Sequence, residues 1–505
     1  MAFHHTRLPI TCLTLCLVLS ATTRHADPKP IPARLIPTPA KDTTYFLGPL
    51  RPDGTVDYIA ALNQKLSQGI TPDNNAAYAL LAVMPPERLN MDGHGGIPKL
   101  EAAFGVPFLN PRPTYQGVPS RDQDDPVGRQ FDLAIDGPWA PEHLPAVADW
   151  LNNNQAALEA VIRAVERDMA WWPIITKAPE AMLYLILLPE LGETRSLARG
   201  LVVRAHRALA HGDLDAVIRD WRAIQKLGHH TSANPIIISR LVGYSIQTMA
   251  DHLAVRLLAH PDVTVQQVQQ MAIVWAAVYP VPSIADAIDF VERIMLLQSL
   301  QAVAAGRIPP EDFFDGRGRF AVRSPAFRID PALRQMNRRY DQLVQIAELQ
   351  RFQAFNESLA RFQEELETAQ DPVTGIRGRH GDASERFSAW LGDSLAGWSL
   401  LSLDSAFASN LDANSRLELL QLAIALRLHR FEHQRYPATL DALTPKYIAK
   451  LPVDRYDGRP LTYKPGPDGT TYLLYAVGRN GQDDGGRHDP READIAVGDP
   501  MPAGW

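Results

Sequence analysis

Between Pro141 and about residue 410, apolar side chains recur every three or four positions. That is the period of helices buried on one face. In "LPAVADWLNNNQAALEAVIRAVERD" the stripe is Leu151, Leu158, Ile162 and Val165. "RSLARGLVVRAHRALAHGDLDAVIRDWRAIQKLGHH" carries the period on both sides of Gly212, which predicts an αα-hairpin turning at that glycine. "ADAIDFVERIMLLQSLQAVAAG" and "RQMNRRYDQLVQIAELQRFQAFNESLARFQEELETA" are two further helical stretches, the second long and amphipathic with mixed charge. The intervening "RIPPEDFFDGRGRFAVRSPAFRIDP" reads as irregular. Residues 141–410 are therefore expected to form an α-helical domain.

Residues 51–140 are expected to hold short helices and loops. Tyr58, Leu62 and Leu66 mark a first helix ended by Gly69, and Thr71 with Pro72 reads as the cap and first position of a second. "MDGHGGIP" and "DGPWAPEHLP" are turn-forming stretches. The Ala208-Leu209, Gly212-Asp213 and Ala216 pattern is similar to one tetratricopeptide unit, so a helical repeat is a partial reading of the body. No period of ~34 residues extends it, and an ordinary helix pair is the plainer reading.

At Asp412 the pattern changes. Ser415 and Glu418 have capping-box spacing, Leu417, Leu420, Ile424, Leu428 and Phe431 form a stripe, and Pro437 stops the helix. "LDALTPKYIAKLP" then makes a short turn and loop, and "PLTYK" and "TYLLYAVG" flank "PGPDGT" as a β-hairpin. "VGRNGQDDGGRHDPREADI" follows the second strand.

Composition narrows the class. A chain of 505 residues implies about two to four domains. The net charge is −7 and no Lys/Arg block stands out, so nucleic-acid binding has no electrostatic footprint. The 41 prolines cluster toward the two ends, which leaves the middle free for long helices. Arg7 precedes an apolar run, Leu8 to Ala21, too short for a comfortable transmembrane helix. Residues 1–26 are expected to be a secretory signal peptide, with Ala21 and Ala26 as candidate cleavage sites. Residues 27–50 are expected to be a Pro-rich linker, poorly ordered. Export to the periplasm or the exterior follows, with no transmembrane helix in the mature chain. Cys12 and Cys16 lie inside the apolar run, so the mature chain would lack disulfides, thiol nucleophiles and Cys-zinc sites.

The motifs "LRLHRFEHQRYP", "YIAKLPVDRYDGRPLTYKP" and "YLLYAVGRNGQDDGG" followed by "ADI" resemble the globular part of the type II secretion major pseudopilin. The resemblance covers residues 412–498, less than a fifth of the chain, with 499–505 left as a tail. It implies a small α+β module whose last loop binds calcium through carboxylates and main-chain carbonyls. The residues it places there are Asn480, Asp483, Asp484, Glu492 and Asp494. Asn480 stands where the family often has Asp, and "DRYDG" where it has Asp-Pro-Trp-Gly. No stretch matches the family's leader junction and apolar assembly helix. The expectation is thus a helical protein carrying a similar module, not a filament subunit. The remainder resembles large exported bacterial helical proteins, from which no activity carries over.

Physical chemistry supports calcium separately, because a glycine-bent acidic loop supplies the oxygens that the ion prefers. An EF-hand does not fit: with Asn480 first, Arg491 falls where the bidentate Glu is needed. A solvated acidic loop without metal stands as the alternative.

Two motifs point to hydrolysis instead. His429, Glu432 and His433 spell H-x-x-E-H, a zinc-peptidase arrangement, yet they lie in the last turns before Pro437. Gly392 to Leu395 spell GDSL, but the flanks read as helix and no Asp-x-x-His follows. "HGG" at 94–96 has no Gly-x-Ser-x-Gly to serve. The leading expectation is a mainly α, non-enzymatic binding or structural protein of the cell envelope, with an unspecified protein partner there. A cell-envelope hydrolase, zinc- or serine-dependent, is the alternative.

Overall fold

The computed structural model describes residues 31–89, 96–108, 113–119, 126–176, 183, 188–310, 322–397, 403–487 and 494–499. The signal-peptide reading of 1–26, Cys12, Cys16, His94, Glu492 and the last residues of the tail lie outside them.

The structure is mostly helical with one small antiparallel sheet near its C-terminal end. Helices α1 (Tyr58–Leu66) and α2 (Ala76–Val83) begin the body. Asp57 caps the first, accepting from Ala60 N at 3.2 Å. The second is capped by Asn75, not Thr71. Thr71 sits in a turn closed by Asn74, whereas Asn75 is buried and bonds both Ala77 N and the backbone of Trp171. Burial decides: only Asn75 reaches donors on two separate segments.

One-turn α3 (Pro86–Leu89), α4 (Gly96–Phe104) and α5 (Pro126–Asp136) lead to the long helices. These are α6 (Pro145–Val165), α7 (Pro189–Ala210), α8 (Leu214–Ala233), α9 (Ile237–Ala259) and α10 (Val265–Val278). The α7–α8 hairpin turns where expected. Gly212 adopts φ 73°, and the side chain of Asp213 accepts from Ala216 N at 3.0 Å. α8 and α9 pack backbone to backbone, since a Cβ at Gly228 would lie 2.8 Å from Gly243 O.

α11 (Ile284–Ala287) passes through a π-helical segment, Ile288–Glu292, into α12 (Arg293–Ala304). The expected long amphipathic helix is divided into α13 (Ile329–Ala347) and α14 (Phe352–Gln370). α15 (Pro372–Arg377) and α16 (Ala383–Ala396) follow, the latter with a complete Asp382/Glu385 capping box.

The linker reading of 27–50 is corrected from Thr38 onward. Thr43 and Thr44 are fully buried, and Asn337 on α13 donates to Thr43 O at 2.7 Å. Tyr45 OH donates to Asp289 at 2.7 Å, and Arg334 reaches Asp42 at 3.0 Å. Side-chain partners satisfy the segment's backbone, so it is held against the helices in spite of its prolines.

Helix α17 (Leu403–His433) runs without a break through the expected module boundary at 412. Ser415 and Glu418 are therefore mid-helix residues, not a capping box. From Asn410 to Leu426 nearly every side chain is buried, because α9, α10 and the sheet surround this helix. The sheet has order β1 (Thr462–Pro465), β2 (Tyr472–Ala476), β3 (Ile495–Asp499), antiparallel throughout. The β1–β2 hairpin was legible in the sequence; the third strand was not. Among the described residues no helix is long and apolar enough to cross a membrane.

Candidate functional site

The acidic stretch is the connection between β2 and β3, whose register pairs Ala476 with Ile495. Its root is tied to the core by carboxylates on other segments. Val477 N donates to Asp454 Oδ2 at 2.6 Å, and Asp454 Oδ1 accepts from Tyr456 N at 2.8 Å. Arg479 clasps Asp412 on α17, with Nε at 3.0 Å and Nη2 at 2.5 Å. Tyr456 OH donates to the other Asp412 oxygen. Gly486 is required where it stands: its φ is 85°, and a Cβ would lie 2.6 Å from Leu473 Cδ2.

Within this frame the loop gathers most of the expected residues. Asn480 Nδ2 donates to Asp484 Oδ2 at 2.8 Å, and Gln482 N donates to Asn480 Oδ1 at 2.9 Å. Asp483 Oδ1 accepts from Tyr475 OH and from Gly485 N, both at 2.8 Å. Asp494 is fully buried. Its Oδ2 accepts from Gly486 N at 2.7 Å, while its Oδ1 is buried and meets no hydrogen-bond criterion among the described residues, although the Asp484 N–H also faces the carboxyl.

The electrostatics differ between these carboxylates. Burial, then the negative charges of Asp483 and Asp484, push the Asp494 carboxyl above its ordinary range. Asp483 is held below its ordinary range by the Gly485 N–H and the Tyr475 hydroxyl, with Lys464 adding a weaker attraction. The loop thus sets a desolvated carboxylate in the field of two further carboxylates. Among the described residues, no three His, Cys, Asp or Glu side chains are gathered to hold a metal by themselves. A hard cation here would take Asp494 together with neighbouring main-chain carbonyls, and the orphaned Oδ1 fits such an ion.

Arg479, Asp412, Asp454 and Tyr456 escaped the sequence reading. Their links to Val477 and to Asp412 join distant parts of the chain, and no local pattern marks them. The "DRYDG" segment, noted only as a departure from the pseudopilin pattern, supplies two of them.

The H-x-x-E-H residues are otherwise engaged. His429 Nδ1 lies 3.1 Å from Arg435 O, so it donates there. Glu432 accepts from Tyr447 OH at 2.8 Å and is ion-paired with Lys446. The two imidazoles pack against each other with centroids 4.2 Å apart. GDSL lies inside α16. Ser394 Oγ donates back to Trp390 O at 3.1 Å. Asp393 is fully buried and clamped by Arg339 at 2.6 Å, by Gln335 at 2.8 Å and by Arg379.

No protein-family model, curated protein or solved structure matches this chain.

Proposed function

We propose that this is an exported, non-enzymatic binding or structural protein of the cell envelope whose C-terminal loop is stiffened by calcium. The carrying observation is Asp494: buried, with one oxygen unpartnered among the described residues, and in the field of the Asp483 and Asp484 carboxylates. A buried polar atom without a partner costs about 1–3 kcal/mol, more when charged. Calcium bound by Asp494 and loop carbonyls relieves that cost and the repulsion from the neighbouring carboxylates. Asn480, Asp484 and Glu492 belong to the same proposed region.

The end of the chain is read as a pseudopilin-like module. A long helix leading to antiparallel strands, with an acidic connection before the last, supports that reading. The α7–α8 hairpin is read as an ordinary antiparallel helix pair, with a single tetratricopeptide-like unit as the alternative, and the grooves of the helical body are the part offered to an envelope protein partner. The apolar run at Leu8 to Ala21 supports export.

The test is a thermal melt of the full chain in chelator, in calcium and in magnesium. Calcium at about a hundred times its Kd adds about 2.7 kcal/mol of stability. The melting temperature should rise in calcium more than in magnesium, and Asp494→Asn should abolish the rise. No response of the wild type to millimolar calcium overturns the proposal.

A further inference from the structure

From Ala332 to Gln370 the sequence contains neither proline nor glycine, and its helical period is continuous. The chain nevertheless leaves the helix after Ala347 and restarts at Phe352, with Arg351 extended at φ −128° and ψ 132°. Ending one helix and starting another leaves backbone groups to be satisfied elsewhere. Phe352 N finds Arg455 O at 3.0 Å, and the Phe352 ring packs on Tyr456 with centroids 5.1 Å apart. Places where tertiary structure overrides a consistent local preference are enriched in functional sites. This break brings Gln350 and Arg351 to the wall of a cleft of about 430 Å³, opposite α10 and beside the loop that precedes β1.

We infer that this cleft is a saccharide-binding site, built for a short run of neutral pyranose units. Trp275 on α10 and Tyr279 just past its end, one turn apart, both line it, and their rings stack at 4.8 Å with an 18° tilt. Their polar tips are fixed to α17: Trp275 Nε1 donates to Leu417 O at 2.7 Å, and Tyr279 OH donates to Glu418 Oε1 at 2.8 Å. Glu418 also accepts from Arg455, with Nη2 at 2.8 Å and Nε at 3.1 Å. Arg455 Nη1 in turn donates to Gln350 Oε1 at 2.6 Å. Rings, guanidinium, carboxylate and amide are thereby held in one connected arrangement before any ligand arrives, which reduces the ordering cost of binding.

The chemistry matches a pyranose. Its C–H face lies against an aromatic ring, and its hydroxyls both donate and accept, as the carboxylate, guanidinium and amide groups require. The volume is that of a small-ligand site with an apolar floor and a few convergent polar groups. Charge argues against a phosphate ligand. Arg455 is already paired with Glu418, and the carboxylates of Glu418 and Asp454 offset most of the charge of Arg351, Lys450 and Arg455. None of these residues lies in the acidic loop after β2, so this reading and the calcium reading fail separately.

The test is titration calorimetry of the full chain with maltotriose and with tri-N-acetylchitotriose, backed by saturation-transfer NMR on the sugar. At least one trisaccharide should bind saturably. Trp275→Ala should weaken binding about tenfold, the scale of one lost stacking contact. Gln421→Arg, a change at a half-exposed lining position that spares the fold, should block the cleft and abolish binding. Absence of binding by both sugars at millimolar concentration overturns the inference. So does wild-type affinity in Gln421→Arg.

Discussion

Asp393 and Ser394 are neighbours in α16, and the structure gives them opposite weights. Asp393 has no exposed surface and holds two arginines from different segments, Arg339 on α13 and Arg379 after α15, together with Gln335. Replacing it by alanine leaves both guanidiniums without their charge partner. Removing one member of a buried ion pair costs about 3–5 kcal/mol. Arg339 and Arg379 keep 12% and 17% of their side-chain surface and can turn partly to water, which places the loss near the lower end, about 3 kcal/mol. Ser394 makes one bond, back to Trp390 O within its own helix, so Ser394→Ala should change stability by no more than about 0.5 kcal/mol. Guanidinium denaturation followed by far-ultraviolet circular dichroism, with both variants measured beside the wild type, reads the difference. Adding Arg379→Ala to Asp393→Ala should cost less than the sum of the two, with a coupling of about 1–3 kcal/mol. If Asp393→Ala unfolds within about 1 kcal/mol of Ser394→Ala, the clamp does not hold α13 to α16 and the reasoning fails.

Other consequences are equally direct. Gly243→Ala should destabilise by about 1–3 kcal/mol, because the new methyl meets Gly228 O at 2.6 Å and Ser232 Cβ at 2.5 Å; an unchanged denaturation midpoint would show that α8 and α9 can separate without loss. Burial pushes the Asp454 carboxyl from an ordinary 3.8 up to about 6, so the folded state favours its protonated form. Its stabilising effect is complete below the unfolded pKa and is lost as pH rises through about 6, a change of about 3 kcal/mol. Asp454→Asn cannot ionise, so wild type should lose stability relative to this variant between pH 4 and pH 7; parallel pH profiles of the two would contradict that assignment.

Local pattern was enough for much of the body. The periodic apolar stripe located α6, and the Gly212-Asp213 pair marked the α7–α8 turn because glycine alone enters positive φ freely while Asp caps the second helix of the pair. The β1–β2 hairpin was legible from its glycine- and proline-rich turn. The candidate loop was visible as a cluster of acids and glycines, but its internal order was not. Nothing local distinguishes Asp494, fully buried, from Asp483, exposed and doubly hydrogen-bonded. The GDSL and H-x-x-E-H spellings show the converse. A short motif survives in the sequence although its side chains are committed elsewhere, to nearby main-chain carbonyls and to arginines and a lysine from other segments.

The sequence by itself determined that the body is mainly helical, where Gly212 turns the chain, and that a helix is followed by strands near the end. Those features depend on side-chain period, backbone freedom and capping, all of which act over a few residues. Only the tertiary structure decided that α17 would be buried almost all round, that an unbroken helical pattern would stop at Ala347, and that residues 38–46 would be held in place. Those outcomes depend on which distant groups satisfy a backbone donor or surround a carboxylate. Desolvation and long-range hydrogen bonding are properties of the packed chain, and no window of neighbouring residues contains them.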